Sequence, residues 1–105
     1  MRRSLALAAA ITLLAAPLAA LAETVVQVGH NRLEPADVTV KTGETVRFHN
    51  QDRMPGGHTI VADDGKFSSP PMGEDESWSH TFDEAGSFPY HIEQHPSATG
   101  TVTVE

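Results

Sequence analysis

The chain has 105 residues, fourteen acidic against seven basic, with six histidines, no cysteine and a formal charge of -7. Such a charge disfavours nucleic acid and anionic membranes as partners; it suits a metal ion or a cationic redox or metal-transport protein. Without cysteine there is no disulfide, no thiolate metal site and no cysteine nucleophile, and the length allows one small domain, expected to work as a monomer.

Residues Met1–Ala22 read as an export signal: basic Arg2 and Arg3, an apolar run from Leu5 to Leu14, and the small-x-small cleavage pattern Ala20-Leu21-Ala22. Pro17 breaks the run, which argues for removal over anchoring, and the arginine pair matches the twin-arginine signal only weakly. The working domain is then expected to be residues 23–105, in the periplasm and off the membrane. It keeps every acidic residue but only five basic ones, Arg32, Lys41, Arg47, Arg53 and Lys66.

From Glu23 onward the pattern is strands and turns. "TVVQV" (24–28) is short and β-branched. "DVTV" (37–40) and "TVRFHN" (45–50) alternate on either side of "KTGE", which predicts a hairpin. "HTIVA" (58–62) is the next strand. Residues 63–75, rich in Asp, Gly, Ser and Pro, form a loop. "SWSHTF" (77–82) puts Trp78, His80 and Phe82 on one face, and "SFPYHI" (87–92) does the same with Phe88, Tyr90 and Ile92. Pro89 inside that run predicts an edge or a bulge. "TGTVTVE" (99–105) closes the chain. About seven short strands spaced by turns predict an all-β antiparallel sandwich.

Strand phase sorts the histidines. His49 and His91 alternate with buried-type neighbours and are read as surface imidazoles, as is His30 at the end of the first strand. His80 shares the face of Trp78 and Phe82 and is read as a near-core ring with a hydrogen-bond partner. His58, after Pro55-Gly56-Gly57, and His95, before Pro96, each stand where a loop meets a strand. Loop ends held by a sandwich are where metal sites are built, and proline stiffens such a loop.

The stretch "SWSHTFDEAGSFPYHIEQHPSATGTVTVE" resembles the C-terminal part of an amicyanin-like cupredoxin, in the plastocyanin/azurin group. "NQDRMPGGHTIV" resembles the segment that carries the family's first histidine ligand, with Gly56 and Gly57 as extra residues, and "LEPADVTVKTGETVRFHN" resembles its early hairpin. The resemblance implies a Greek-key cupredoxin sandwich over the working domain, with His58 and His95 as imidazole ligands of copper. It also implies that Asn50 ties the two ligand loops together. Two positions depart from the family pattern: Ile92 stands where the cysteine belongs, and Ala98 falls at or near the axial methionine.

Blue copper needs a short Cu–thiolate bond in a His₂Cys plane, and isoleucine has no lone pair to give. The expected centre is therefore type-2-like Cu(II), non-blue, completed by water or a carboxylate. Glu93 heads the carboxylate candidates, ahead of Asp52 and Asp63-Asp64, while Met54 and Met72 are read as packing residues. Copper handling, or an accessory role in metal uptake or oxidation, is the first functional reading. The alternatives are an electron-transfer protein with a rebuilt redox site and a metal-free interaction module. Oxidation of an ion such as Fe(II) at an open copper site is the enzymatic variant. No pattern for hydrolytic catalysis is present.

Overall fold

The computed structural model describes residues 23–105; the leader expected at Met1–Ala22 lies outside the described residues. Among them are eight strands: β1 Thr24–Gly29, β2 Arg32–Glu34, β3 Asp37–Val40, β4 Glu44–Asn50, β5 Ile60–Ala62, β6 Ser77–Phe82, β7 Gly86–Ile92 and β8 His95–Val104. They form two four-stranded sheets, in the orders β2-β1-β4-β6 and β3-β8-β7-β5.

Alternation along the strands explains why the sheets stack. Successive side chains point to opposite faces, so every second residue can be buried. Val26 and Val28 of β1, Val46 and Phe48 of β4, and Val102 and Val104 of β8 supply such rows, as do Phe88, Tyr90 and Ile92 of β7. All belong to one apolar core. Phe48 sits near its middle, stacked on Trp78 at 5.8 Å and edge-on to Tyr90 at 5.4 Å between ring centroids. Burying one such ring contributes about 1.5–3 kcal/mol. The Tyr90 hydroxyl is not orphaned by this burial: it donates to the Ala36 carbonyl at 3.0 Å.

The hairpin expected over 37–50 does not form. β3 pairs with β8 and β4 with β1 and β6, so the two runs lie in different sheets. The chain crosses the sandwich at Lys41–Gly43, where Gly43 takes φ +91° and its N–H donates to the Phe82 carbonyl at 2.7 Å. A hairpin would have set the two apolar rows side by side on one sheet; the crossing places them in opposite sheets. The chain changes sheet after β2 and again after β3, and two ladders are parallel, β1 with β4 and β3 with β8, where the turn pattern predicts antiparallel pairing throughout.

Pro89 lies in β7, with β8 on one side and the short β5 on the other. The expected edge is therefore not there: β7 is internal, and the Pro89 carbonyl accepts from Asp63 N, one residue past the end of β5. The register shift in β7 comes later, at His91/Ile92.

Candidate metal centre

The parallel pairing of β1 with β4 decides what meets at one rim. Val28 is in register with Asn50, so the turn after β1 emerges beside the loop after β4, and Gln51 N donates to the Val28 carbonyl at 2.9 Å. The first carries His30, the second Asp52 and His58. His95 arrives from the second sheet: it pairs with Ile92 across a tight Glu93-Gln94 turn and is the first residue of β8.

The three imidazoles converge. Ring centroids are 5.4 Å apart for His58 and His95, 4.6 Å for His30 and His95, and 6.5 Å for His30 and His58. One ligand nitrogen from each lies within 4.8 Å of those of the other two. His58 is fully buried, His95 half-buried and His30 exposed. The sequence pattern predicts a surface imidazole at His30; it is exposed, but it stands beside both other rings.

Asp52 sits beneath two of them. His58 Nε2 is 2.8 Å and His30 Nδ1 3.3 Å from the same oxygen, Oδ2. The hydrogen bond with His58, above all, holds the Asp52 carboxyl below its ordinary value; partial burial opposes this, while His30 and the Arg53 backbone N–H reinforce it. An ionised carboxylate only accepts, so the nitrogens facing it carry hydrogen. His58 Nδ1 and His95 Nε2 are buried with no hydrogen-bond partner. Buried polar atoms are nearly always satisfied, and each exception costs about 1–3 kcal/mol. Two such atoms on neighbouring rings are the condition under which a cation would relieve both.

Local ties hold this geometry. Gly56 and Gly57 take φ +90° and +72°, and His58 then bridges Met72 through N–H···O bonds of 3.0 and 2.9 Å. The two extra glycines therefore return His58 to the sandwich instead of carrying it away. Asn50 is fully buried; its two amide hydrogens are shared among the carbonyls of Met72 (2.8 Å), Gly73 (3.0 Å) and Asp52 (3.2 Å), and its side-chain oxygen accepts from Asp52 N (3.1 Å). It thus fixes the loop before His58 to the Met72 segment, not to the loop before His95 as expected. Gln94 makes that second tie. Its Oε1 accepts from Thr59 N at 2.8 Å and its Nε2 donates to Thr59 Oγ1 at 3.2 Å, next to the Glu93 N–H bond to the Thr59 carbonyl.

The remaining candidates lie elsewhere. Glu93 is exposed and outside the cluster, Asp63 pairs with His91 at 2.6 Å, and Asp64 accepts from Lys66 N. Met72 is core and Met54 exposed. His49 is bonded to Gln27 at 2.9 Å. Ile92 and Ala98 are both buried in the apolar core. His80 has no side-chain hydrogen bond among the described residues; its ring packs against Trp78, Phe67 and Phe82 instead.

The chain has relatives among known proteins. A family model described as a cupredoxin-like domain matches residues 4–104. The chain is a cupredoxin. This cupredoxin is 34% identical over 84 residues to amicyanin of Paracoccus denitrificans, a match covering 77% of this chain and 64% of that protein. The chain therefore spans less than two thirds of that amicyanin's length. It is 38% identical over 85 residues to plastocyanin of Scenedesmus fuscus, covering 69% and 85%. A solved methionine-to-alanine mutant of amicyanin, in its Cu(I) form, superposes with a TM-score of 0.70 at 35% identity, covering 79% of this chain and 82% of that one.

Proposed function

We propose that this cupredoxin binds copper at a non-blue, thiolate-free centre with His58 and His95 as ligands, and that it serves copper handling or an accessory step in metal uptake or oxidation. The observation that carries this is the pair of buried, partnerless nitrogens, His58 Nδ1 and His95 Nε2, on rings 5.4 Å apart. A bound copper ion supplies a Lewis acid that can change oxidation state. The thiolate that would make it blue is absent, since Ile92 is a buried core residue without a lone pair. Loss of a methionine is compatible with copper in this fold, as the amicyanin mutant in its Cu(I) form indicates. Water or a carboxylate then completes a type-2-like Cu(II) sphere, and exchange at that position suits delivery of the ion over fast outer-sphere electron transfer. The acidic surface suits a cationic partner.

The test is Cu(II) titration of the chain from Glu23, followed by absorption and electron paramagnetic resonance. A weak d–d band with ordinary hyperfine splitting is expected, and His58→Ala and His95→Ala should each remove most of the binding. A wild-type chain whose melting temperature ignores excess copper would discard the centre and leave an interaction module. Ile92→Cys adds the missing sulfur, and an intense blue band is the expected gain. The leader Met1–Ala22 is proposed to direct the chain to the periplasm and to be removed there; N-terminal sequencing of the periplasmic form should begin at Glu23.

A further inference from the structure

We propose that His30 is a third ligand of this centre, taking the place of the missing thiolate, and that Asp52 positions His30 and His58 for metal binding. The inference rests on the reading of the rim as a copper site. It starts from proton bookkeeping on the rings.

A neutral imidazole carries one N–H and one lone pair, and the partner of the N–H decides which nitrogen is free. His58 places Nε2 against Asp52 Oδ2 at 2.8 Å, which frees Nδ1, the buried atom without a partner. His30 places Nδ1 against the same oxygen at 3.3 Å, which frees its Nε2. His95 contributes Nε2, also buried and partnerless. A single carboxylate oxygen thus selects the tautomer of two rings. A carboxylate behind a ligating histidine has this orienting effect in metal sites, where it also raises the basicity of the ring.

The His30 turn is placed, not loose. Asn31 takes φ +55°, and its side-chain oxygen accepts from Ser97 Oγ at 3.0 Å, two residues beyond His95. The rings of His30 and His95 are inclined by 64°, those of His30 and His58 by 63° and those of His58 and His95 by 55°, so none stacks flat on another. Three imidazoles packed for their own sake would leave two buried nitrogens unsatisfied. A cation held among them satisfies both and uses His30 as well. The His30 side chain is 57% exposed, so it forms the solvent side of the centre and leaves room for a small exchangeable ligand. Three neutral rings cancel none of the charge of Cu(II), which favours water or a small anion at that position.

The experiment is Cu(II) binding with pulsed electron paramagnetic resonance to count coordinated imidazoles, on the wild-type chain, His30→Ala and Asp52→Asn. The wild type should show three imidazoles. His30→Ala should still bind copper but show two, with affinity lower by about tenfold or more. Asp52→Asn should keep three while losing about tenfold to a hundredfold in affinity, the mark of a positioning residue. His30 is an exposed turn residue, so unchanged apo melting of His30→Ala separates a ligand effect from misfolding. Two imidazoles in the wild type, with unchanged affinity in His30→Ala, would overturn the third ligand while leaving the copper reading intact. Unchanged affinity in Asp52→Asn would overturn the positioning role. A wild-type chain that binds no Cu(II) would overturn both the inference and the reading beneath it.

Discussion

His58 and His80 are imidazoles set among other rings toward opposite ends of β4, yet their surroundings give them opposite character. His58 is fully buried, and its Nε2 is bonded to a carboxylate while its Nδ1 points at no partner. His80 is half-buried between aromatic faces: Trp78 stacked at 5.4 Å, Phe67 tilted at 4.9 Å and Phe82 edge-on at 4.8 Å. Polar ties fix the first ring and leave one nitrogen free for a ligand. Apolar contact fixes the second and only disfavours its charged form. A buried ring with a directed, unmet nitrogen is a candidate ligand, whereas a ring held by stacking is packing, whatever the count of histidines nearby.

If the His58 rim is held by backbone bonds, disturbing the backbone should hurt it most. A Cβ on Gly57 would lie 2.5 Å from the Met72 carbonyl oxygen, at φ +72°. Gly57→Ala should destabilise the domain by about 2–4 kcal/mol, as left-handed strain adds to the collision, and should weaken copper binding. Gly56→Ala is the control. Its φ is +90° but its Cβ meets nothing within 4 Å, so it bears the strain alone, about 1–2 kcal/mol. Chemical denaturation measures both. Equal losses would mean that the bridge to Met72 does not hold His58.

The tie between Gln94 and Thr59, within the second sheet where β5 lies beside β7, is weaker. Gln94→Ala removes two hydrogen bonds to Thr59 and should cost about 1–2 kcal/mol. Its sharper effect should be on copper, because His95 is the neighbour of Gln94 and its coupling to the His58 segment is then left to the Glu93 N–H bond to the Thr59 carbonyl. A fall in affinity larger than the fall in stability is expected from parallel titration and melting. If stability and affinity fall together, Gln94 serves the fold and not the site. The same substitution should leave the His80 stack untouched, which near-ultraviolet circular dichroism of Trp78 would report.

The sandwich was legible because period-2 alternation survives in every long strand, and each buried row above can be read from the residues alone. The interest of His58 and His95 can be read from the proline and strand boundaries that flank them and from the resemblance of the surrounding stretches to a family. The place of His30 beside them cannot. It depends on β1 lying parallel to β4 with Val28 beside Asn50, and no local pattern encodes which distant strand becomes a neighbour. The misread hairpin over 37–50 has the same origin, since a Gly-containing turn between alternating runs fits a crossing between sheets as well as a return within one. Gln94 carries no sequence signal, because a polar residue in a turn has no periodic signature and its partner, Thr59, is far away in sequence.

The smallest effect concerns His80 and depends on pH. Burial lowers its pKa from the ordinary 6.5, and the charge of Asp83 pulls the other way. Lys66 and Glu84 line the same 380 Å³ pocket beside it, with opposite charges that are themselves 3.4 Å apart. Between the lowered value and 6.5 the unfolded chain holds more protons on this residue than the folded one does. Stability therefore rises with pH across that window and falls as the solution is acidified below about 6.5. His80→Phe keeps the ring and removes the proton, so it should flatten that part of the stability–pH curve. The difference should stay below about 1 kcal/mol, because the ring is only half-buried and solvent screens its charge. Copper binding should not change. Denaturation midpoints at pH 5 and pH 7.5 test this, and an unaltered slope would show that His80 does not set the acid sensitivity in that window; Asp52, held below its ordinary carboxylate value, stays ionised throughout it.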